Sequence, residues 1–192
     1  MSREGVPARG VRSLAVLIAG AACAPAHALE VLDTRSGLDD GAFTFRLEAR
    51  VDVPVEPLAR VLTDFDRIHE LHRRMVASRD LGEVEPGVTE VYTELKGCVA
   101  VFCRTIHRTE RVRRTPEGLF AEDVPGRGDF EAGSTRWTFI AEGGGTRVVY
   151  ETSLVPGFWV PPLLGPSMLA DTTRRTTIEM LAAAERKAGP SP

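Results

Sequence analysis

The chain has no surplus of positive charge: its 24 Lys and Arg are outnumbered by 27 Asp and Glu, giving a net charge of −3. An acidic balance offers no global attraction for nucleic acid, and no nucleic-acid partner is expected. No G-x-S-x-G elbow is present, which removes the usual hydrolase nucleophile. Gly143-Gly144-Gly145 joins two strand-like runs instead of opening a helix, so it is no phosphate cradle. His69 and His72 stand three apart on a helical stretch, where zinc helices place two His four apart, and no third ligand is evident. No metal and no cofactor are expected. Long apolar runs are missing as well. The longest near the N-terminus, Leu14 to Ala22, is about half of the ~20 residues a membrane-spanning helix needs.

That run has a different meaning in context. Arg3, Arg9 and Arg12 precede it, and Ala26-His27-Ala28 follows with small residues at the two positions a signal peptidase reads. Residues 1–28 therefore read as a cleaved signal peptide, and residues 29–192 as a single periplasmic or secreted domain. Cys23 raises the alternative of a lipoprotein, but Gly20-Ala21-Ala22 lacks the aliphatic residue such signals carry. Cleavage leaves Cys98 and Cys103, an even number in an oxidising compartment. Five residues apart in one extended strand they would face opposite ways. A disulfide requires Gly97 to Cys103 to fold back; two buried thiols are the alternative.

The remaining chain is patterned first as strand. Phe43 to Val53 alternates apolar and polar residues, and Glu30 to Thr34 offers a pairing partner across Gly37 to Gly41. Pro54 and Pro57 end that run. Leu58, Val61, Leu62, Phe65, Ile68 and Leu71 then recur at helical spacing, predicting one or two short helices over Val55 to Met75. Six strand-like runs follow, joined by short turns such as Glu85-Pro86-Gly87 and Thr115-Pro116-Glu117-Gly118, and the pattern predicts an antiparallel meander. From Ser167 to Lys187 there is neither Pro nor Gly, and a long terminal helix is predicted. Met168, Leu169, Ile178, Leu181 and Ala182 supply an apolar stripe. Its centre, Asp171 to Thr177, is polar all round. Either that stretch faces a polar cavity or the helix is exposed there.

The order is α+β: a curved antiparallel sheet around a long C-terminal helix, with short helices after the first strand. Such a helix grip leaves space between sheet and helix for a small apolar ligand. From about Phe43 to Lys187 the chain also resembles the START-like (SRPBCC) superfamily, in its polyketide cyclase/dehydrase and coenzyme Q-binding branch. The resemblance rests on Val51-Asp52-Val53-Pro54 followed by Val61-Leu62-Thr63-Asp64-Phe65, and on Gly128-Asp129-Phe130. It continues through Gly133 with Trp137 and Phe139, Gly144-Gly145-Thr146-Arg147 with Tyr150, and Pro156 to Pro162 with Gly165-Pro166. It implies a Bet v 1-like helix-grip fold and a hydrophobic, lipid- or isoprenoid-like ligand.

The candidate ligand-binding residues are Phe65, Trp137, Phe139, Tyr150, Phe158, Trp159, Met168 and Arg175, with Arg175 meeting a polar head. Phe158 and Trp159 sit between prolines, as a pocket lip or a membrane-touching tip. Val99 to Phe102 is a second apolar run, either ordinarily packed, a lid, or inserted at a membrane interface. Arg104, His107 and Arg108 read as a solvated strand face. Two other functions fit the same pattern. One is a cyclase- or dehydratase-type enzyme using Asp171 and Arg175; the other is a non-catalytic interaction module whose cavity is filled by side chains.

Overall fold

A computed structural model of the protein describes residues 29–99, 102–160 and 165–189. The 1–28 signal-peptide expectation lies outside them. The chain opens with β1 (Glu30–Asp39) and β2 (Ala42–Val51), joined by Asp40-Gly41. Both turn residues have positive φ, 46° and 83°, the twist a two-residue hairpin needs and the reason Asp-Gly stands there. Because two residues suffice, β1 runs on to Asp39 and takes Gly37 into the strand, where the sequence suggested a longer loop.

The helix α1 (Val55–Leu62) and a 3₁₀ turn (Ile68–Leu71) then carry the chain across the sheet to β3 (Met75–Glu85). From there β4 (Val88–Val99), β5 (Phe102–Thr115), β6 (Gly118–Asp123), β7 (Phe130–Glu142) and β8 (Gly145–Pro156) return as a meander, and α2 (Gly165–Ala188) closes the chain. Every pairing is antiparallel, and the eight strands lie in the order β1-β2-β8-β7-β6-β5-β4-β3. The outer strands β1 and β3 do not meet, so the sheet stays open.

The two ends of this sheet differ. On β2, alternate residues Phe43, Phe45, Leu47, Ala49 and Val51 are buried, and with Leu58, Leu62, Leu71, Val148, Leu181 and Ala184 they make one apolar core. The helix α2 packs mainly on β1, β2, α1 and the 3₁₀ turn. Its C-terminal half is tethered there. Glu185 accepts the Asp52 backbone N–H at 2.6 Å, Lys187 pairs with Glu70, and Glu179 meets the His72 ring at 3.1 Å. The two histidines thus have structural partners, since His69 also bonds the Ser78 hydroxyl through its backbone N–H and its Nδ1. Over β4 to β7, by contrast, the helix stands off the sheet.

Of the expected helix stripe, Leu181 is in the core, and Leu169 and Ile178 pack against it. Ala183 and Ala184 take the position assigned to Ala182. No helix among the described residues is long and apolar enough to cross a membrane.

Candidate functional site

Where α2 stands off, a cavity of about 220 Å³ remains between helix and sheet. Strand alternation explains its walls. Val91, Thr93 and Leu95 of β4 line it, with Ile106, Arg108, Glu110 and Val112 of β5, Leu119 and Ala121 of β6, and Thr135 and Trp137 of β7. Tyr150 and Leu154 complete the sheet side, and Phe65, Ile68 and Met75 close one end. Trp137 and Tyr150 are direct cross-strand partners, their rings 4.5 Å apart and tilted by 58°.

From α2 come Thr172, Thr173, Thr176, Thr177 and Met180. The polar centre of the helix is therefore divided by face. Its threonines, at i, i+1, i+4 and i+5, point inward, while Asp171, Arg174 and Arg175 are exposed. Both alternatives left open by the sequence hold, each for one side of the same two turns.

One wall carries charge. Glu110 and Asp123 are directly opposite each other on β5 and β6, an arrangement of like charges that is unfavourable by itself. Arg108 bridges them. Its Nε and Nη2 donate to the two Asp123 oxygens at 2.7 and 3.2 Å, and Nη2 lies 3.1 Å from Glu110. Nη2 also reaches the Thr135 hydroxyl at 3.4 Å, which lies 3.1 Å from the Thr152 hydroxyl. The Arg108 guanidinium sits 5.5 Å from the Phe130 ring.

The side chains of Arg108, Glu110 and Asp123 keep only 16%, 13% and 5% of their surface exposed. Burial pushes the Glu110 carboxyl up, reinforced by the Asp123 charge and opposed by Arg108. The Tyr150 phenol is raised as well, again chiefly by burial. Burial draws the Arg108 guanidinium down, but the two carboxylates outweigh it and leave it raised. The cavity therefore offers a cation that stays charged, a carboxyl displaced toward its neutral form, and a phenol that stays protonated.

Gly133 is a packing requirement of this cluster. A Cβ there would lie 2.0 Å from Asp123 Oδ2 and 2.9 Å from Leu154 Cδ2.

Of the residues expected from sequence, Phe65, Trp137 and Tyr150 line the cavity. Phe139 packs on the apolar core instead. Phe158 meets Phe130 edge-to-face at 6.0 Å with Arg104 at 5.0 Å from its ring, and Trp159 is 79% exposed. Met168 is half-buried and outside the cavity lining. Arg175 is exposed, with its Nε donating to the Asp171 carbonyl, so no polar head in the cavity meets it.

Arg108 corrects the reading of a solvated face. His107 points outward, but the next residue of an extended strand points inward. The signal was present in the run Ile106, Arg108, Glu110, Val112, where two charged residues occupy an otherwise apolar alternation. Cys98 and Cys103 are direct partners in the β4–β5 register, so the fold-back that a disulfide requires is present in the backbone. In the Val99–Phe102 run, residues 100 and 101 lie outside the described residues.

The topology, the eight-stranded curved sheet and the single gripping helix decide the fold. It is a START-like helix grip. The chain is similar to the Zhui aromatase/cyclase from Streptomyces sp. R1128, with a TM-score of 0.62 and 16% identity over 77% of this chain and 93% of that one. It is similar to a STAR-related lipid transfer protein from Xanthomonas axonopodis, with a TM-score of 0.60 and 19% identity over 80% and 98%. A START superfamily protein from Mycobacterium smegmatis gives 0.61 and 13% over 74% and 97%. No protein-family model and no curated protein sequence matches the chain. The likeness to these solved structures is thus one of three-dimensional architecture, at 13–19% identity.

Proposed function

We propose that this START-like protein binds and carries a hydrophobic small molecule, lipid- or isoprenoid-like in body, that bears at least one polar group. The observation that carries this reading is the void itself: an apolar cavity with aromatic walls and one buried cluster, Arg108–Glu110–Asp123. A purely apolar ligand would leave Glu110 without a partner on its cavity side, whereas a hydroxyl or carbonyl would complete it. Similar architecture in proteins solved as a lipid transfer protein and as an aromatase/cyclase supports a ligand of this class. The void weighs against an interaction module with a filled cavity.

The amino-terminal pattern supports export, which would put the carrier in the periplasm or outside the cell. There the opposed Cys98 and Cys103 would form a disulfide, and exposed Trp159 would make transient contact with a membrane surface.

The experiment uses the two tryptophans. Ligands from a lipid and isoprenoid panel should raise the melting temperature and quench Trp137. The quench should survive Trp159→Phe and vanish in Trp137→Phe. Native mass spectrometry should show a co-purifying ligand. No melting shift across the panel, together with no bound mass, would overturn the reading.

A second reading has its own observation. A buried carboxyl raised toward neutrality beside a protonated phenol is suited to proton transfer. It supports a cyclase- or dehydratase-type activity centred on Glu110, not on the exposed Asp171 and Arg175. Turnover that disappears in Glu110→Gln while ligand affinity persists would support it, and unchanged turnover would remove it.

A further inference from the structure

The face of the sheet turned away from α2 holds a second hollow, of about 450 Å³. Its floor is one cross-strand row. Gly37 is opposite Thr44, Thr44 opposite Ser153, and Ser153 opposite Ser134. Four adjacent strands place small side chains in this row, and the gap where longer ones would lie forms the hollow. The next row forms its wall: Arg35, Arg46, Glu151, Arg136 and Phe120, each opposite the next, with Arg113 continuing the row beyond the hollow.

The arginines of this wall are not equally committed. Arg46 spends all its nitrogens, on Asp33 at 3.3 Å, Glu48 at 2.8 Å and Glu151 at 3.4 Å. Arg35 uses only Nε, toward Asp33, and its side chain is 77% exposed. Arg136 makes no ion pair among the described residues. It lies 4.7 Å from the Phe120 ring, which it shares with Arg113 at 4.5 Å. A guanidinium stacked on a ring keeps its N–H donors in its own plane, free for a planar or tetrahedral oxyanion. The Thr44, Ser134 and Ser153 hydroxyls make no hydrogen bond among the described residues. The hollow therefore combines one uncommitted guanidinium, one partly committed, and three uncommitted hydroxyls. An apolar ligand would leave these groups unpaired. A nucleobase would find no stacking platform, because Phe120 is already covered by two arginines.

We propose that this outer hollow is a second binding site, separate from the inner cavity, for a sugar carrying a phosphate or carboxylate group. Arg136 holds the oxyanion, Arg35 closes the far end, and Thr44, Ser134 and Ser153 meet the sugar hydroxyls. The test is a titration of the ¹⁵N-labelled protein at low salt with glucose 1-phosphate and with glucuronate, followed by amide shifts. At least one should produce saturable shifts grouped at Gly37, Thr44, Ser134, Arg136 and Ser153. Glucose and inorganic phosphate should each bind about tenfold more weakly, since each supplies only half of the chemistry. Arg136→Gln, an exposed change that should leave the melting temperature unchanged, should weaken the charged sugar by about tenfold. The proposal is overturned if neither charged sugar saturates at millimolar concentration, if inorganic phosphate binds as well as either, if the shifts fall elsewhere, or if Arg136→Gln has no effect.

Discussion

Removing Arg108 isolates what the buried cluster does. In Arg108→Met the volume is roughly kept, but Glu110 and Asp123 are left facing each other with 13% and 5% of their surface exposed and no counter-charge. Breaking a buried ion pair by removing one partner costs about 3–5 kcal/mol. Domains of this size are stable by about 5–15 kcal/mol, so the variant should lose about a fifth or more of its stability. The same principle makes the opposite forecast for the whole cluster. Arg108→Met combined with Glu110→Leu and Asp123→Leu removes every desolvated charge at once, and such replacements are neutral or stabilising by about 1–4 kcal/mol.

The assay is urea unfolding without ligand, read by tryptophan fluorescence and circular dichroism. Acidification should shrink the deficit of the single variant. Glu110, already raised by burial, loses the Arg108 charge that opposed that rise, so its cost is absent at low pH and grows as pH rises through the unfolded value. The triple variant should fold normally yet lose selectivity for ligands with a hydroxyl or carbonyl. A loss under about 1 kcal/mol in the single variant, or a triple variant no more stable than the single, would refute the reasoning. Either result would mean that the cluster is better solvated than its burial indicates.

Other outcomes follow from neighbouring features. Gly133→Ala places a Cβ against Asp123 and Leu154, and should cost about 1–3 kcal/mol in urea unfolding while weakening polar-ligand binding; an unchanged midpoint would contradict the close approach. Burial holds the His72 ring below its usual value of 6.5, against the pull of Glu179. A depressed histidine contributes stability that is present above the unfolded pKa and lost as pH falls through it. Melting temperature should therefore drop below about pH 6.5 in the native protein and less steeply in His72→Gln; parallel curves would assign the drop to other groups. Cys98 and Cys103, as facing residues in an antiparallel pair, are within disulfide reach. Protein isolated from an oxidising compartment should leave both unalkylated under denaturing conditions until a reductant is added, and labelling of both without reductant would exclude the bond.

The architecture was legible because its signals are local. Asp40-Gly41 specifies its own hairpin, and Phe43 to Val51 alternates with the period of a half-buried strand. The stretch Ser167 to Lys187 contains nothing that stops a helix. The site was legible only where an aromatic residue falls on an inward position, as with Phe65, Trp137 and Tyr150. Phe139 sits on the same strand face as Trp137 yet meets the core, because β7 passes from the hollow part of the sheet to the packed part between those two residues. No periodicity encodes that boundary.

The sequence by itself determined the strands, the turns, the terminal helix and which residues share a face, since each follows from backbone preferences over a few positions. Tertiary structure decided which faces are buried against what. A charged residue in a strand reads as solvated unless a partner from elsewhere in the chain neutralises it. Arg108 finds Asp123 across the sheet, fifteen residues on, and that pairing makes it an inner wall. The polar stretch Asp171 to Thr177 was visible as an anomaly from the start. Only the distance that α2 keeps from β4 to β7, fixed by its anchoring on β2 and α1, turns four of its threonines into the roof of a cavity and leaves its charges in water.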